Sequence, residues 1–413
     1  MKKNVDIRLA TLFSGIGAIE QAFLKMHLPH SIVFACDNGE IEFTPLDVEE
    51  RREFAELKRG KSLSDDQQCR LADLQRKIDR RLAVIKENVS TLLDKDSKRA
   101  YVERLYKYYS PGKENLVKLS YCSNYAIRPS DFHLDVRFLD GRDYEEQVDL
   151  MVGGSPCQSF SSNGKRGGMD DTRGTLFYDY ARIINEVKPK CFIFENVKGM
   201  LVHDNGETWA VIKSVFEDLD YRIYLNKDKN GYEKPILNAV DFGIPQNRER
   251  IYLIGIRKDI KLKSEFKFPG AVRLRSVVND FLDENVPAEY YLGRKGFEFV
   301  TTHPSRAQVG SPIMNCQKAN QQFNWNGDFI FEPLSNKHTT EILARAYVGV
   351  WNGSRGVCRK FTPRECLRLM GFPDTFKIVV NDQTMYRQAG NSIVVNVLEK
   401  LLEEIIKTGV FES

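Results

Sequence analysis

Two hydrophobic periods share this chain. Ile7 to Phe13, Ser31 to Cys36, Asp149 to Gly153, Cys191 to Phe194 and Arg250 to Ile256 are short apolar runs with the length and side chains of strands buried on both faces. Ala18 to Met26 and Thr175 to Val187 have helical spacing instead, the second with Leu176, Tyr180, Ile183, Ile184 and Val187 on one face. Asp149 to Phe194 therefore reads as one β-α-β unit, whose right-handed crossover brings both strand ends to the same edge of a sheet. After Cys36 the expected third strand is delayed. Residues from about 45 to 120 are rich in Glu, Lys and Arg, and Leu71, Leu74, Ile78, Leu82, Ile85, Val89 and Leu92 form one apolar stripe. This segment reads as an inserted helical hairpin, closed by the turn signal Ser110-Pro111-Gly112. The core pattern resumes at His133 to Val136. From about 258 to 358 it weakens into short strands with turns at Asn324-Trp325-Asn326-Gly327 and Trp351-Asn352-Gly353-Ser354, which marks a second, smaller domain. A helix near Pro363 to Met370 and an amphipathic helix from Ile393 to Ile406 finish the chain.

Composition narrows the class without fixing the function. A chain of 413 residues is long enough for two domains, and its net charge of +4 permits a nucleic-acid partner without requiring one. The basic start Met1-Lys2-Lys3 is followed by Asp6 and Arg8, so no signal peptide is expected, nor any membrane span. The eight cysteines are scattered without CxxC pairs, which predicts a reducing cytoplasmic setting and no metal.

Candidate chemistry sits at the ends of the strands. The turn Ser14-Gly15-Ile16-Gly17 after the first run, and Asp37 closing the second, have the order of a nucleotide-binding opening. Read singly, the glycines are as well explained by an ordinary strand-to-helix turn, and Asp37 by a cap. The third glycine of the dinucleotide fingerprint is missing, with Ile19 and Glu20 near its place. That disfavours NAD and points, with Phe13, to a nucleoside ligand without pyrophosphate, such as S-adenosylmethionine. Cys157 and Glu195 close the two strands of the β-α-β unit, so a thiol and a carboxylic acid would lie side by side. That pair suits covalent addition to an electron-poor ring, the acid protonating the ring as sulfur attacks. A buried structural thiol is the competing explanation for Cys157, and an ion-paired strand end for Glu195. Lys165, Arg166, Arg248 and Arg250 are the cations available to favour a thiolate.

With these residues in view, the chain resembles the bacterial cytosine-C5 DNA methyltransferases of restriction–modification systems. The resemblance rests on seven blocks in the family's order. Phe13 to Gly17 is similar to the cofactor loop, and Gly153-Gly154-Ser155-Pro156-Cys157-Gln158-Ser159-Phe160-Ser161 to the nucleophile loop. Arg173 to Phe177, Glu195-Asn196-Val197 and Gln246-Asn247-Arg248-Glu249-Arg250 resemble the next three, the last as a QxRxR motif. Arg364 to Pro373 and Gly390 to Val397 resemble the final two.

The resemblance implies a Rossmann-like class I S-adenosylmethionine-dependent methyltransferase domain, α/β in class, with a smaller, mostly β or irregular target-recognition domain and the inserted hairpin. The implied division is a catalytic domain over 1–275, target recognition and hinge over 276–389, and a returning C-terminal segment over 390–413. Cys157 is implied as the nucleophile on a flipped cytosine and Glu195 as its acid. Arg250 orients both, with Arg248 the weaker candidate and a structural arginine its alternative. Phe13, Gly15, Gly17, Asp37, Asp135, Val136, Pro156, Leu176, Asn391 and Ser392 are implied around S-adenosylmethionine, with Asp135 on the adenine amine; S-adenosylhomocysteine is the product. Gln158, Ser161, Asn163, Lys165 and Arg166, in or beside the glycine-bearing loop Ser159 to Arg173, are implied at double-stranded DNA. Asn324, Trp325, Asn326, Asn352, Ser354 and Arg355 have base-reading or backbone-contacting chemistry. A cognate restriction endonuclease and a monomeric state are further implications. Three other readings remain: an RNA cytosine methyltransferase, an inactive DNA-binding protein, and an NAD-dependent oxidoreductase. The insertion departs from the family pattern, and its excess of about five basic residues over 49–118 fits DNA contact or a solvated elaboration equally.

Overall fold

The structure is a computed structural model that describes residues 6–60, 62–155, 176–320 and 325–412. β1 (Ile7–Leu12) leads into α1 (Ala18–Lys25) and returns as β2 (His30–Cys36), parallel to β1. The charged segment folds as α2 (Val48–Arg59), α3 (Asp65–Thr91) and α4 (Lys95–Tyr109), followed by α5 (Leu116–Asn124). β3 (Phe132–His133) and β4 (Leu150–Gly153) resume the sheet, and α6 (Leu176–Val187) precedes β5 (Cys191–Val197), which lies parallel beside β4. Then come α7 (Glu207–Asp218), β6 (Tyr221–Leu225), β7 (Ile236–Asn238), β8 (Gln246–Asn247) and β9 (Glu249–Arg257).

The main sheet has the order β3-β2-β1-β4-β5-β9-β6, with β7 also on β9, and β9 runs antiparallel to its neighbours. Both faces are covered, which is why these strands read as continuous apolar runs. Leu9, Leu150, Val152, Ile193 and Ile254 enter one core with α1, while Ala10, Met151, Phe192, Phe194 and Leu253 enter the other with α6 and α7. The order reverses direction between β1 and β4, the point where open α/β sheets leave a crevice at the strand ends.

The insertion is more than one hairpin. Its stripe runs along all of α3, which at about 1.5 Å per residue is roughly 40 Å long and too long for one partner helix to cover. Leu74 and Ile78 pack with Phe54 of α2, whereas Ile85 and Val89 pack with Val102 and Tyr106 of α4 and with Phe43 and Phe138. Side chains of Asp47, Ser64 and Asp94 cap the three helices. α4 ends at Ser110, just before Gly112 takes φ 74°.

The second sheet follows α8 (Arg294–Thr302) and comprises β10 (Ala307–Val309), β12 (Gly327–Pro333), β14 (Ser354–Arg359) and β13 (Gly349–Trp351) in that order. β11 (Met314–Asn315) pairs instead with β8, and α9 (Thr340–Arg345) bridges β12 and β13. Asn352 and Gly353 turn the β13–β14 hairpin with φ 47° and 77°, the left-handed pair that an Asn-Gly turn supplies. α10 (Pro363–Arg368), α11 (Asp382–Asn391) and α12 (Val395–Lys407) complete the chain. Cys366, Leu367, Met370, Met385 and Ala389 share the first core with α1 and α12. Among the described residues no helix is long and apolar enough to cross a membrane.

Candidate active site

The crevice is lined first by the loop after β1. Phe13, Gly15 and Gly17 all have positive φ, and the Ser14 hydroxyl lies 3.2 Å from the Cys36 carbonyl oxygen at the end of β2. The Gly15 N–H donates to Asp37 Oδ2 at 2.9 Å, and Oδ1 accepts the Gly39 N–H at 2.8 Å. Burial pushes the Asp37 carboxyl upward and the two amides pull it down. Asp37 thus holds two loops together at the crevice. At Gly17 an added Cβ would stand 2.2 Å from the ring of Tyr125, whose hydroxyl lies 2.9 and 2.6 Å from the carbonyl oxygens of Ile16 and Gly17. Only glycine fits there. At Gly15 the same position is open space.

Asp135, after β3, caps the next turn by accepting the Arg137 N–H at 3.0 Å. Its Oδ2 also accepts from Arg137 Nη2 at 2.7 Å and from the Tyr106 hydroxyl at 2.8 Å. Val136 is buried beside it, and Leu176 is half-buried at the start of α6. From the C-terminal helices, Asn391 donates to Glu40 at 2.7 Å, and Arg387 lies 3.3 Å from the same carboxylate. Ser392 is buried and its carbonyl accepts from Arg248.

The acid of the β-α-β unit stands at the other side of the crevice. Glu195 faces Arg250 across an ion pair of 3.3 Å, each side chain about 15% exposed. Burial raises the Glu195 carboxyl above its ordinary value, against the opposing pull of Arg250 and then Arg248. Next to it, Asn196 Nδ2 donates to the Ser155 carbonyl at 2.9 Å, so the end of β5 holds the chain two positions before Cys157. An alanine Cβ at Gly154 would meet the Glu195 carbonyl oxygen at 2.0 Å, so the two strand ends touch through backbone.

Arg248 has another task. Its guanidinium donates to the carbonyls of Gln317 at 2.8 Å, Gly390 at 3.0 Å and Ser392 at 2.7 Å. It clasps the segment after β11 and the C-terminal segment to the turn between β8 and β9, and none of its hydrogen bonds goes to Glu195. This favours the structural alternative for that arginine, because every bond it makes joins chain segments. Cys316 lies between the two arginines, 3.5 Å from Arg248 Nη1 and from Arg250 Nη2.

Of the sequence-predicted residues, the structure brings Phe13, Gly15, Gly17 and Asp37 together at one strand end, and Glu195 with Arg250 at another. Pro156, Cys157, Gln158, Ser161, Asn163, Lys165, Arg166 and Asn324 lie outside the described residues. Trp325 packs on Phe299, with ring centroids 5.4 Å apart, and Asn352 forms the hairpin turn. Tyr106, Tyr125, Glu40, Cys316 and the clasp of Asn196 were not foreseen. The helical period puts Tyr106 on the buried face of α4, but nothing in the sequence signals its partner Asp135.

A sequence profile described as C-5 cytosine-specific DNA methylase matches residues 113–407 and so begins after α4. The type II methyltransferase M.SsoII of Shigella sonnei is 37% identical over 308 residues, covering 73% of this chain and 74% of that protein. The type II methyltransferase M.HhaI of Haemophilus parahaemolyticus is 37% identical over 265 residues, covering 62% of this chain and 75% of its own. Among solved structures, the S. pombe Dnmt2 methyltransferase superposes with a TM-score of 0.60 at 17% identity, covering 97% of this chain and 98% of its own. The last likeness is one of fold.

Proposed function

Because this chain belongs to the C-5 cytosine-specific DNA methylase family, we propose that it methylates C5 of cytosine within one short sequence of double-stranded DNA, using Cys157 as the attacking thiolate and Glu195 as the acid. The observation that carries this reading is the part-buried Glu195–Arg250 pair, joined through Asn196 to the chain just ahead of Cys157.

The family's methyl donor is S-adenosylmethionine, and the residues at the β1, β2 and β3 ends fit a nucleoside. Gly15 leaves open space, Phe13 offers a half-buried ring, and Asp37 and Asp135 offer acceptors for hydroxyls and an amine. Gly17, Val136, Pro156, Leu176, Asn391 and Ser392 complete that site. When bound, S-adenosylmethionine supplies an electrophilic methyl group. The chain's own residues prepare the cytosine. A base inside the duplex is unreachable, so it is flipped into the crevice. Cys157 sulfur forms a bond to C6 while the Glu195 proton passes to N3, which leaves C5 nucleophilic. After methylation C5 loses its proton to water, the S–C6 bond breaks, and the proton on N3 returns to Glu195. Arg250 fixes Glu195 in place, and burial, which raises the Glu195 carboxyl above its ordinary value, favours its protonated form relative to a solvated carboxylate.

Gln158, Ser161, Asn163, Lys165 and Arg166 are assigned to DNA, the basic pair to its phosphates. The enzyme acts as a cytoplasmic monomer that protects host DNA from a cognate restriction endonuclease. A duplex bearing 5-fluorocytosine tests the chemistry, because fluorine cannot leave as the C5 proton does. A covalent adduct of protein and DNA that needs cofactor, and is lost in Cys157→Ser, is expected. A stable adduct in the Cys157→Ser variant, or none in the wild type with DNA and S-adenosylmethionine both bound, would overturn it.

A further inference from the structure

Three lysines of the helical insertion are tied to acids on other elements. Lys98 Nζ bonds Asp140 at 2.8 Å and Asp143 at 2.7 Å, and Lys86 pairs at 3.0 Å with Asp179 of α6. Lys77 pairs with Glu50 of α2. Charge used this way is not available to phosphates. These contacts seat α3 and α4 on the segments that follow β3 and the helix that begins at Leu176. At the centre of the contact, the Tyr106 hydroxyl donates to Asp135 at 2.8 Å. The Tyr106 ring stacks on Phe43, with centroids 4.8 Å apart and planes 26° apart, and Arg137 lies over the same Phe43 ring at 5.5 Å.

We propose that the insertion forms the outer wall of the cofactor site and that Tyr106 is a positioning residue for Asp135. This rests on the reading of Asp135 as the acceptor for the adenine amine. Arg137 grips the carboxylate from within its own turn, through its backbone N–H at 3.0 Å and its guanidinium at 2.7 Å. Tyr106 approaches from a different element, so the two donors together remove the rotation of the carboxylate before ligand arrives. An acceptor fixed in advance loses less conformational freedom on binding. Tyr106 remains a hydrogen-bond donor throughout the working pH range, because burial and the nearby Asp135 both hold its hydroxyl pKa up.

The test compares S-adenosylhomocysteine with its purine analogue lacking the 6-amino group, by calorimetric titration of the full chain. Tyr106→Phe removes only the hydroxyl and keeps the stacked ring, and its melting temperature is recorded alongside. The expected result is a loss of about tenfold in affinity for S-adenosylhomocysteine, the scale of one hydrogen bond to a charged group. The analogue's affinity should be unchanged by the mutation, and the KM for S-adenosylmethionine should rise by a larger factor than kcat falls. Equal losses for both ligands would mean a merely structural tyrosine, and no loss for either would also overturn the proposal. Asp135→Ala separates the two levels. If it leaves S-adenosylhomocysteine affinity intact, the cofactor reading fails and takes this inference with it. If it weakens binding while Tyr106→Phe does not, the inference alone fails.

Discussion

Replacing Arg248 by methionine separates stability from catalysis within one motif. The side chain is 3% exposed and donates to three buried carbonyls on two distant segments, Gln317 on one and Gly390 and Ser392 on the other. Methionine keeps the apolar stem and strands all three acceptors. Hydrogen bonds from a charged donor are each worth about 1.5–3 kcal/mol, so the low end sums to roughly 4.5 kcal/mol. Relief of the buried cation, which burial and Arg250 both disfavour, returns a part of this. A net loss of about 4 kcal/mol is expected, or roughly 5 °C in Tm for a chain of this size. Urea and thermal melts measure it, and kcat is taken at a temperature where both proteins are folded. Arg250→Met should behave in the opposite way, with a modest change in Tm and a large fall in kcat, because its ion pair is with Glu195. An Arg248→Met protein with wild-type Tm and a collapsed kcat would refute the reasoning.

Three further outcomes follow from single contacts. Asn196→Ala removes the donor to the Ser155 carbonyl, so kcat and the rate of trapping 5-fluorocytosine should fall while affinity for S-adenosylhomocysteine holds. Gly154→Ala places a methyl group against the Glu195 carbonyl oxygen, which is backbone and cannot swing away, so a loss of about 1–3 kcal/mol and most of the activity is expected from melts and turnover. Glu20, fully buried beneath the cofactor loop against the Tyr121 hydroxyl, has its pKa raised by burial to about 7. Between its ordinary value and 7 the folded chain binds more protons than the unfolded one, so Glu20 costs stability as pH rises through that window. Glu20→Gln should therefore change Tm little near pH 4.5 and raise it at pH 8; an equal effect at both values contradicts the assignment.

The strands and their order of chemistry were legible because both faces of the sheet are buried, which leaves unbroken apolar runs such as Cys191 to Phe194. The ends of those runs located Asp37, Glu195 and the turn at Gly15 without any knowledge of packing. The Asn352-Gly353 turn was legible for a local reason, since the backbone there needs two left-handed residues. Contacts between distant segments were not. The stripe on α3 gave its length but not that α2 and α4 would share it, and nothing in the motif announces the three carbonyls that Arg248 holds. Tyr106 shows the limit most clearly, because its hydrogen bond to Asp135 depends on how a whole insertion docks.

Bisulfite sequencing of a plasmid incubated with the protein and S-adenosylmethionine, beside a Cys157→Ser control, tests the central claim most directly. Methylcytosine confined to one short recurring sequence and absent from the control is the predicted result. Methylation that persists in Cys157→Ser, or none in the wild type when bound S-adenosylmethionine is demonstrated, would contradict it.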